Sequence, residues 1–252
     1  MMAVLNKNYL LDRNKKFFRL NKLVGKAVVK YNLINDKDRV LVAVSGGKDS
    51  TTLLACLNDR KEWVPIDFEI VPVHIDPGFD DGCSAGIKKF LNDNDIDLHV
   101  EYTNFGVMAH GPENINKSPC FICSWNRRKR LFELAKKFNC NKIAFGHTKD
   151  DLIATLFINM CYTGTMGTMV PNQEFFKGEM RVVRPLCLAD ENAISSFIRS
   201  SGIPVFENKC PSAGVSKRDE MKVFLKTLYG KNKRVKENIF RSMSHFSPEY
   251  LL

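Results

Sequence analysis

The stretch Arg39–Val44 (RVLVAV), followed at once by Ser45-Gly46-Gly47-Lys48-Asp49-Ser50, constrains the fold more than any other part of the chain. A nearly continuous apolar run of this length marks a strand buried on both faces, as in a parallel sheet. In open α/β sheets, ligands bind at the carboxyl ends of strands, where the next helix begins. Two glycines let the backbone turn tightly and present N–H groups to an anion, and the following helix N-terminus, predicted ahead of Thr51–Leu57, adds a favourable field. Ser45 and Ser50 supply hydroxyl donors, Lys48 a cation for phosphate, and Asp49 a carboxylate suited to a metal ion. The plainer alternative is a glycine turn with Asp49 as helix cap. The whole hexapeptide directly after a buried strand favours the anion site. The spacing fits neither G-x-x-x-x-G-K-[ST] nor G-x-G-x-x-G.

The rest of the chain continues a strand–helix rhythm. Helical spacing runs from Lys15 to Ile34, and the strands after the first are predicted at Phe68–Ile75, Asp97–Tyr102, Lys142–Phe145 and Val182–Leu186. Pro72 in the second of these predicts an irregularity or a sheet edge. Helices are predicted at Ser84–Asn92, Phe121–Phe138, Asp150–Tyr162 and Ala193–Ser200. Such alternation builds an α/β fold with a doubly wound parallel sheet. Phe105–Ser118 and Thr163–Arg181, rich in Gly, Asn and Pro, are expected to be loops. The expected organisation is an N-terminal helical segment over 1–37, a nucleotide-binding domain over 38–215 and a basic helical segment over 216–252.

At 252 residues the chain can bury one sizeable core. No apolar run approaches bilayer length and the start lacks a signal-like core, so a cytoplasmic location and no membrane partner are expected. Lys and Arg number 38 against 28 Asp and Glu, a net of +10, which favours a polyanionic partner. The basic residues gather in Lys15–Lys30, Arg127–Lys137, Lys217–Lys226 and Lys231–Arg241. Each cluster alone reads as the solvated face of a helix, but four together favour an acidic partner.

Eight cysteines in a reducing compartment do not argue for disulfides. Cys56, Cys140, Cys161 and Cys187 stand in apolar stretches and read as small core residues; Cys83 stays undecided. Cys120 and Cys123, in Ser118-Pro119-Cys120-Phe121-Ile122-Cys123, open a helix with Ser118 as N-cap and Pro119 at its first position. With Arg127 they share a face at i, i+3, i+7, and a helix N-terminus and an arginine lower thiol pKa values. Cys210, in Lys209-Cys210-Pro211, is the candidate third ligand. Spacing alone leaves a metal site and a dithiol redox pair both open. A structural zinc needs four protein ligands, whereas three thiolates on an iron–sulfur cluster leave one iron open to an exogenous ligand.

The loop VAVSGGKDS resembles the PP-loop of the ATP pyrophosphatase superfamily. Together with Pro-Cys-x-x-Cys, the run Ala144–Asp151 (AFGHTKDD) leading into LIATLFINM, and Arg184-Pro185-Leu186, the chain resembles the tRNA 2-thiocytidine synthetase family. That resemblance runs from about Lys16 to the end, where Ser244–Leu252 looks like the family's closing segment. It implies cleavage of ATP to AMP and pyrophosphate, with ATP phosphates held by Ser45, Gly46, Gly47, Lys48, Asp49 and Ser50. It implies a [4Fe-4S] cluster on Cys120, Cys123 and Cys210. Asp150 and Asp151 would lie near the nucleotide and its Mg2+, with Asp49 sharing their catalytic role; Asp150 and Asp151 read equally well as first-turn acids of a helix capped by Thr148. Arg127 and Arg128 would lie near the cluster or the substrate phosphate. Asp76 stands where an adenine or ribose contact is expected, and Gly146 is placed with the nucleotide site. The implied reaction is adenylation of O2 of a pyrimidine in tRNA, the anticodon-loop cytidine first, and its replacement by sulfur. The implied partners are tRNA and a sulfur donor (a cysteine desulfurase or free sulfide), with a homodimer as the assembly to test. Many family members carry His-His where this chain has His147-Thr148, and the segment after Cys210 is nearer to the thiouridine-forming branch. The alternatives are that branch, a metal-free persulfide relay on the cysteines, and a cluster-bearing RNA sensor without ATP turnover.

Overall fold

The computed structural model describes residues 14–79, 83–115, 118–206, 209–212, 214 and 216–250. The first 13 residues and Leu251–Leu252, counted above in the terminal segments, lie outside the described residues, as do Glu207, Asn208, Ala213 and Val215 beside Cys210.

Six strands form one sheet, β1 (Asp38–Ala43), β2 (Phe68–Asp76), β3 (His99–Tyr102), β4 (Lys142–Ala144), β5 (Asn172–Phe175) and β6 (Met180–Val183), in the order β3-β2-β1-β4-β6-β5. All neighbours pair in parallel except β5, which runs antiparallel to β6 at one edge. The order reverses between β1 and β4, so the carboxyl end of β1 faces a topological switch point. The strand at β5 and a short helix α4 (Phe105–Ala109) both fall in stretches expected to be loops.

Pro72 lies inside β2, which is an interior strand, opposite Val42 of β1. The carbonyl of Val73 accepts from Val44 beyond β1, so Val73 faces β1 and Pro72 faces the β3 side. Pairing with β3 begins only at Val73. The missing N–H therefore falls where there is no ladder to break.

Helices α1 (Lys15–Tyr31), α2 (Lys48–Arg60), α3 (Cys83–Asn92) and α7 (Glu191–Ser201) cover one face of the sheet, packing on Val40 and Val42. Helix α5 (Pro119–Lys137) covers the other, packing Leu131, Leu134 and Ala135 on Leu41, Val73 and Ile143. Alternation along β1 thus sends successive residues into two different cores. Helix α1 starts at Asn14, whose side chain accepts from the N–H groups of Lys16 and Phe17, and ends at Asn32 in the left-handed conformation. It buries Phe17 against Phe197 of α7, with ring centroids 5.5 Å apart and both residues 0% exposed. Phe197→Ala is accordingly expected to cost about 3–5 kcal/mol, read as a lower urea midpoint at unchanged slope.

Helix α6 (Lys149–Thr163) packs through Ile153 and Ala154 on α8 (Lys217–Lys231) and α9 (Val235–Ser242). Among the cysteines expected in the core, Cys56, Cys140 and Cys187 are buried, but Cys161 is exposed. It lies in the last turn of α6, on a face left open to solvent. Cys83 is buried at the start of α3.

Candidate active site

Ser45-Gly46-Gly47 links β1 to α2, with Gly47 as N-cap, so Lys48, Asp49 and Ser50 form the first helical turn. The Ser50 hydroxyl donates to the Gly47 carbonyl at 3.0 Å and accepts the Ser45 N–H at 3.0 Å, closing the loop on itself. Gly46 has φ +82°, and a Cβ there would lie 2.6 Å from Ile87 of α3. Its carbonyl accepts the N–H of Phe206 at 3.0 Å, which ties the loop to the chain segment that leads to Cys210. Gly146, after β4, is close to the same helix start: a Cβ would stand 3.0 Å from the Asp49 carbonyl carbon and from the Ser50 nitrogen.

These elements wall a cleft of about 300 Å3, lined by Ser45, Asp49 and Ser50, by Arg127 and Arg128 of α5, and by His147 and Asp151. Asp49 Oδ2 takes Lys48 Nζ at 2.9 Å, whereas its Oδ1 is buried with no hydrogen-bond partner. Burial raises the pKa of Asp49 against the pull of Lys48, and the charges of Asp151 and Glu191 raise it further. Lys48 also reaches Glu191 at 2.8 Å; burial lowers its pKa, but the hydrogen bonds to Glu191 and Asp49 prevail and hold it raised. Asp151 Oδ1 meets Lys222 of α8 at 3.0 Å. Its other oxygen completes a capping box with Thr148, so the capping reading of this acid holds and Asp151 still faces the cleft. Burial pushes its carboxyl up, but Lys222 and the Thr148 N–H outweigh that and keep it low.

Asp150 does not line the cleft. Its carboxylate accepts the Glu191 N–H at 2.8 Å and pairs with Lys236 of α9 at 2.7 Å. Asp76 is likewise engaged elsewhere, accepting the Gly78 N–H at 2.7 Å and the Ser84 hydroxyl at 2.5 Å at the end of β2. Behind the loop, buried His74 has Nδ1 2.8 Å from the Val44 carbonyl and Nε2 2.8 Å from Ser84 Oγ. Sequence reading missed Glu191 and Lys222, which carry no motif of their own and become neighbours of the loop only through folding. His147, not among the site residues expected from the sequence, also lines the cleft, with its Nδ1 buried and unpartnered. Burial first, then the Arg184 charge, with Arg218 and Arg128 beyond it, outweigh Asp151 and bring its pKa down to about 3. His147 is therefore neutral at physiological pH.

The basic clusters are less free than their composition suggests. Arg130 is paired with Glu101 and Glu133, and Lys222 and Lys236 with the acids just described. Arg127 and Arg128 retain their place in the cleft.

Cys120 and Cys123 sit in the first turn of α5, with Pro119 opening the helix; Ser118 is its N-cap but makes no side-chain cap bond. The strand of chain pinned at Phe206 passes Cys210 and brings the Ser212 carbonyl within 4.0 Å of Cys120 Sγ, while Ser212 Oγ lies 2.6 Å from His110 Nε2. Burial raises the pKa of Cys123 and Arg127 lowers it, while Cys210 and Cys120 push it up again, so the three sulfurs lie within electrostatic range. Among the described residues no three His, Cys, Asp or Glu side chains gather closely enough to hold a metal ion. A single zinc needs its ligands converging on one atom, whereas a cluster takes one thiolate per iron and spreads them. Cys120, Cys123 and Cys210 are each half-buried thiols, the donor type an iron–sulfur cluster takes. Beside them Phe121 and Trp125 are exposed and stacked, with centroids 6.4 Å apart and planes at 21°.

A glycine-bearing loop at a switch point, opening a helix beneath two carboxylates and two arginines, defines a PP-loop nucleotide-binding fold. The family model of the PP-loop domain matches residues 15–218. The tRNA-cytidine(32) 2-sulfurtransferase of Geotalea uraniireducens (strain Rf4) is 36% identical over 244 residues, covering 96% of this chain and 97% of that one. The enzyme of the same name from Geobacter sulfurreducens is 36% identical over 241 residues, covering 95% and 94%. The chain belongs to the PP-loop family, among the tRNA-cytidine(32) 2-sulfurtransferases. The same fold is seen in the U34-tRNA thiolase NcsA from Methanococcus maripaludis, solved with its [4Fe-4S] cluster. That match has a TM-score of 0.74 at 19% identity and covers 92% of this chain and 80% of that one.

Proposed function

We propose that the protein is an ATP-dependent tRNA sulfurtransferase that replaces O2 of cytidine 32 with sulfur, releasing AMP and pyrophosphate. The observation that carries this is the kinship of nearly the whole chain to the cytidine-32 sulfurtransferases, joined to a phosphate loop that shares its cleft with Arg127 and Arg128, one to two turns beyond Cys120 and Cys123. Sulfur comes from a cysteine desulfurase or free sulfide, and the setting is the cytoplasm. Among the described residues no helix is long and apolar enough to cross a membrane.

The chemistry follows from the cleft. ATP phosphates lie on the N–H groups of the loop and the start of α2, where the helix field favours anions. Lys48, released from Glu191, takes up charge on the departing pyrophosphate. The orphaned Oδ1 of Asp49, with Asp151 nearby, fits Mg2+, a hard cation that takes oxygen ligands and when bound neutralises phosphate charge. Adenylation turns O2 of the base into a good leaving group, and sulfur then takes its place as AMP departs. Cys120, Cys123 and Cys210 would hold a [4Fe-4S] cluster, which when bound supplies an iron position free of protein thiolate and open to exogenous sulfur. Exposed Phe121 and Trp125 offer stacking surfaces for unstacked loop bases.

Incubation of the anaerobically purified protein with ATP, sulfide and a tRNA carrying cytidine 32 is expected to give 2-thiocytidine by nucleoside mass spectrometry, with AMP and pyrophosphate in equal amounts. Release of ADP, or of pyrophosphate without any thiolated base, would overturn this function.

A further inference from the structure

A second cavity, of about 320 Å3, lies against the nucleotide cleft, and Arg128, Phe145 and His147 line both. It is assembled from α5, α6, β5, β6 and the first turn of α8, and the proposed ATP chemistry makes no use of it. Arg128, Arg184 and Arg218 line it, and among the described residues no carboxylate does. Arg184 is buried, donates to the Val170 carbonyl and to Gln173 Oε1, and keeps a buried Nε–H with no partner. Thr155 Oγ1, one face of α6 into the same cavity, is also buried and unpartnered, as is Nδ1 of His147 on the shared wall. Burial first, then the charge of Arg128, brings the Arg184 pKa down to about 10.

Buried polar atoms without partners are rare in folded proteins and mark places where something else binds. Cations are excluded by the sign of the lining. The lining combines guanidiniums, neutral hydrogen-bond donors and the rings of Phe145 and Phe175, the set that receives a base together with its phosphate. We propose that this cavity is the pocket for the target nucleotide of the RNA, with Arg128 and Arg218 on its phosphate and Thr155 and the Arg184 Nε–H reading the base. The pocket rests on the function proposed above and adds a specificity to it. The Arg184 Nε–H can only donate, and the buried Thr155 hydroxyl proton has no acceptor among the described residues, so a base edge that satisfies both must accept. Cytosine presents O2 and N3 side by side as acceptors, whereas N3 of uracil carries a proton. A buried site built to hydrogen-bond one partner rejects an analogue that leaves its groups unpaired. A flipped base in this cavity would lie next to the nucleotide cleft, with which the cavity shares Arg128, Phe145 and His147.

The test uses the full-length, cluster-loaded protein and fluorescent anticodon stem-loops with cytidine, uridine or an abasic residue at position 32. Affinities are read by anisotropy with a non-hydrolysable ATP analogue present. The native protein is expected to bind the cytidine RNA at least about tenfold more tightly than the other two. Thr155→Val, of equal size, is expected to lose most of that preference, and Arg218→Gln to weaken all three RNAs about tenfold alike. Both variants should keep native iron content, circular dichroism and ATP affinity. A Thr155→Val variant with the native preference would overturn the base-reading role. A matching loss of ATP affinity in either variant would assign the cavity to ATP instead and overturn the pocket. If the native protein thiolates tRNA while these variants discriminate as it does, the pocket alone fails. If the native protein thiolates nothing, the function fails and the pocket with it.

Discussion

Asp49→Asn is expected to cut tRNA-dependent pyrophosphate release at least about a hundredfold, the scale seen when one preorganised electrostatic group is lost from a transition state. The substitution keeps the shape of the side chain and removes its charge. In the native protein Oδ2 rests on Lys48 and Oδ1 is buried without a partner, so the anion is only half compensated. Burial first, then Asp151 and Glu191, hold its pKa above the ordinary carboxylate value against the pull of Lys48. A carboxyl whose folded pKa lies above its unfolded value costs stability once the pH rises past the unfolded value. At neutral pH the urea midpoint of Asp49→Asn should therefore equal or exceed that of the native protein. Any difference should vanish as the pH falls to where Asp49 is protonated in both folded and unfolded chains. The cation changes the balance. With Mg2+ and ATP at about a hundred times the dissociation constant, the native protein should gain about 2.7 kcal/mol, and the variant much less. A variant that matched the native protein in both ligand stabilisation and turnover would remove Asp49 from the reaction.

What could be read from the sequence and what could not divide along a physical line. The β1 strand and its loop were legible because everything that defines them is local: an apolar run, two glycines, and a helix start within six residues. Strand order was not, yet the parallel sheet followed from alternation alone. The edge strand β5 carries no apolar run. Asn172, Gln173 and Glu174 pair with β6 only because that strand offers an open edge. The polar residues near the loop show the same division. Ser45, Asp49 and Ser50 stand together in the chain, whereas Glu191 and Lys222 reach the loop from 143 and 174 positions beyond Lys48 (191 − 48, 222 − 48). An apolar stretch also misled at Cys161: α6 buries Ile153 and Ala154 but leaves Cys161 on its exposed side. The ion pairs of Lys222, Lys236 and Arg130 were hidden for a related reason: a cation on a helix face says nothing of which acid the fold will bring to it.

Cys210→Ala is expected to cost the protein its iron and nearly all thiolation, at least about a hundredfold, although Cys210 stands 87 positions beyond Cys123 (210 − 123). Only tertiary structure can place it there, and described residues on either side of it are anchored. Phe206 donates its N–H to Gly46 of the phosphate loop, and Ser212 comes to rest against Cys120 and His110. Between these two anchors Cys210 is held within electrostatic range of Cys123. If all three sulfurs serve one cluster, Cys120→Ala and Cys123→Ala should lose iron to the same degree, because two thiolates at one helix start cannot retain it alone. Cys161→Ala removes an exposed thiol far from this group in the chain and should keep iron and activity. Cys140→Ala should keep both with only the modest loss of stability expected from emptying a small buried site. Iron and acid-labile sulfide, measured after anaerobic purification, read the ligand set without reference to turnover. Added sulfide should alter the spectrum of the native cluster, since three protein thiolates leave one iron free for it. A Cys210→Ala variant with full iron and full thiolation would leave two ligands at the head of α5 and favour a persulfide relay between Cys120 and Cys123.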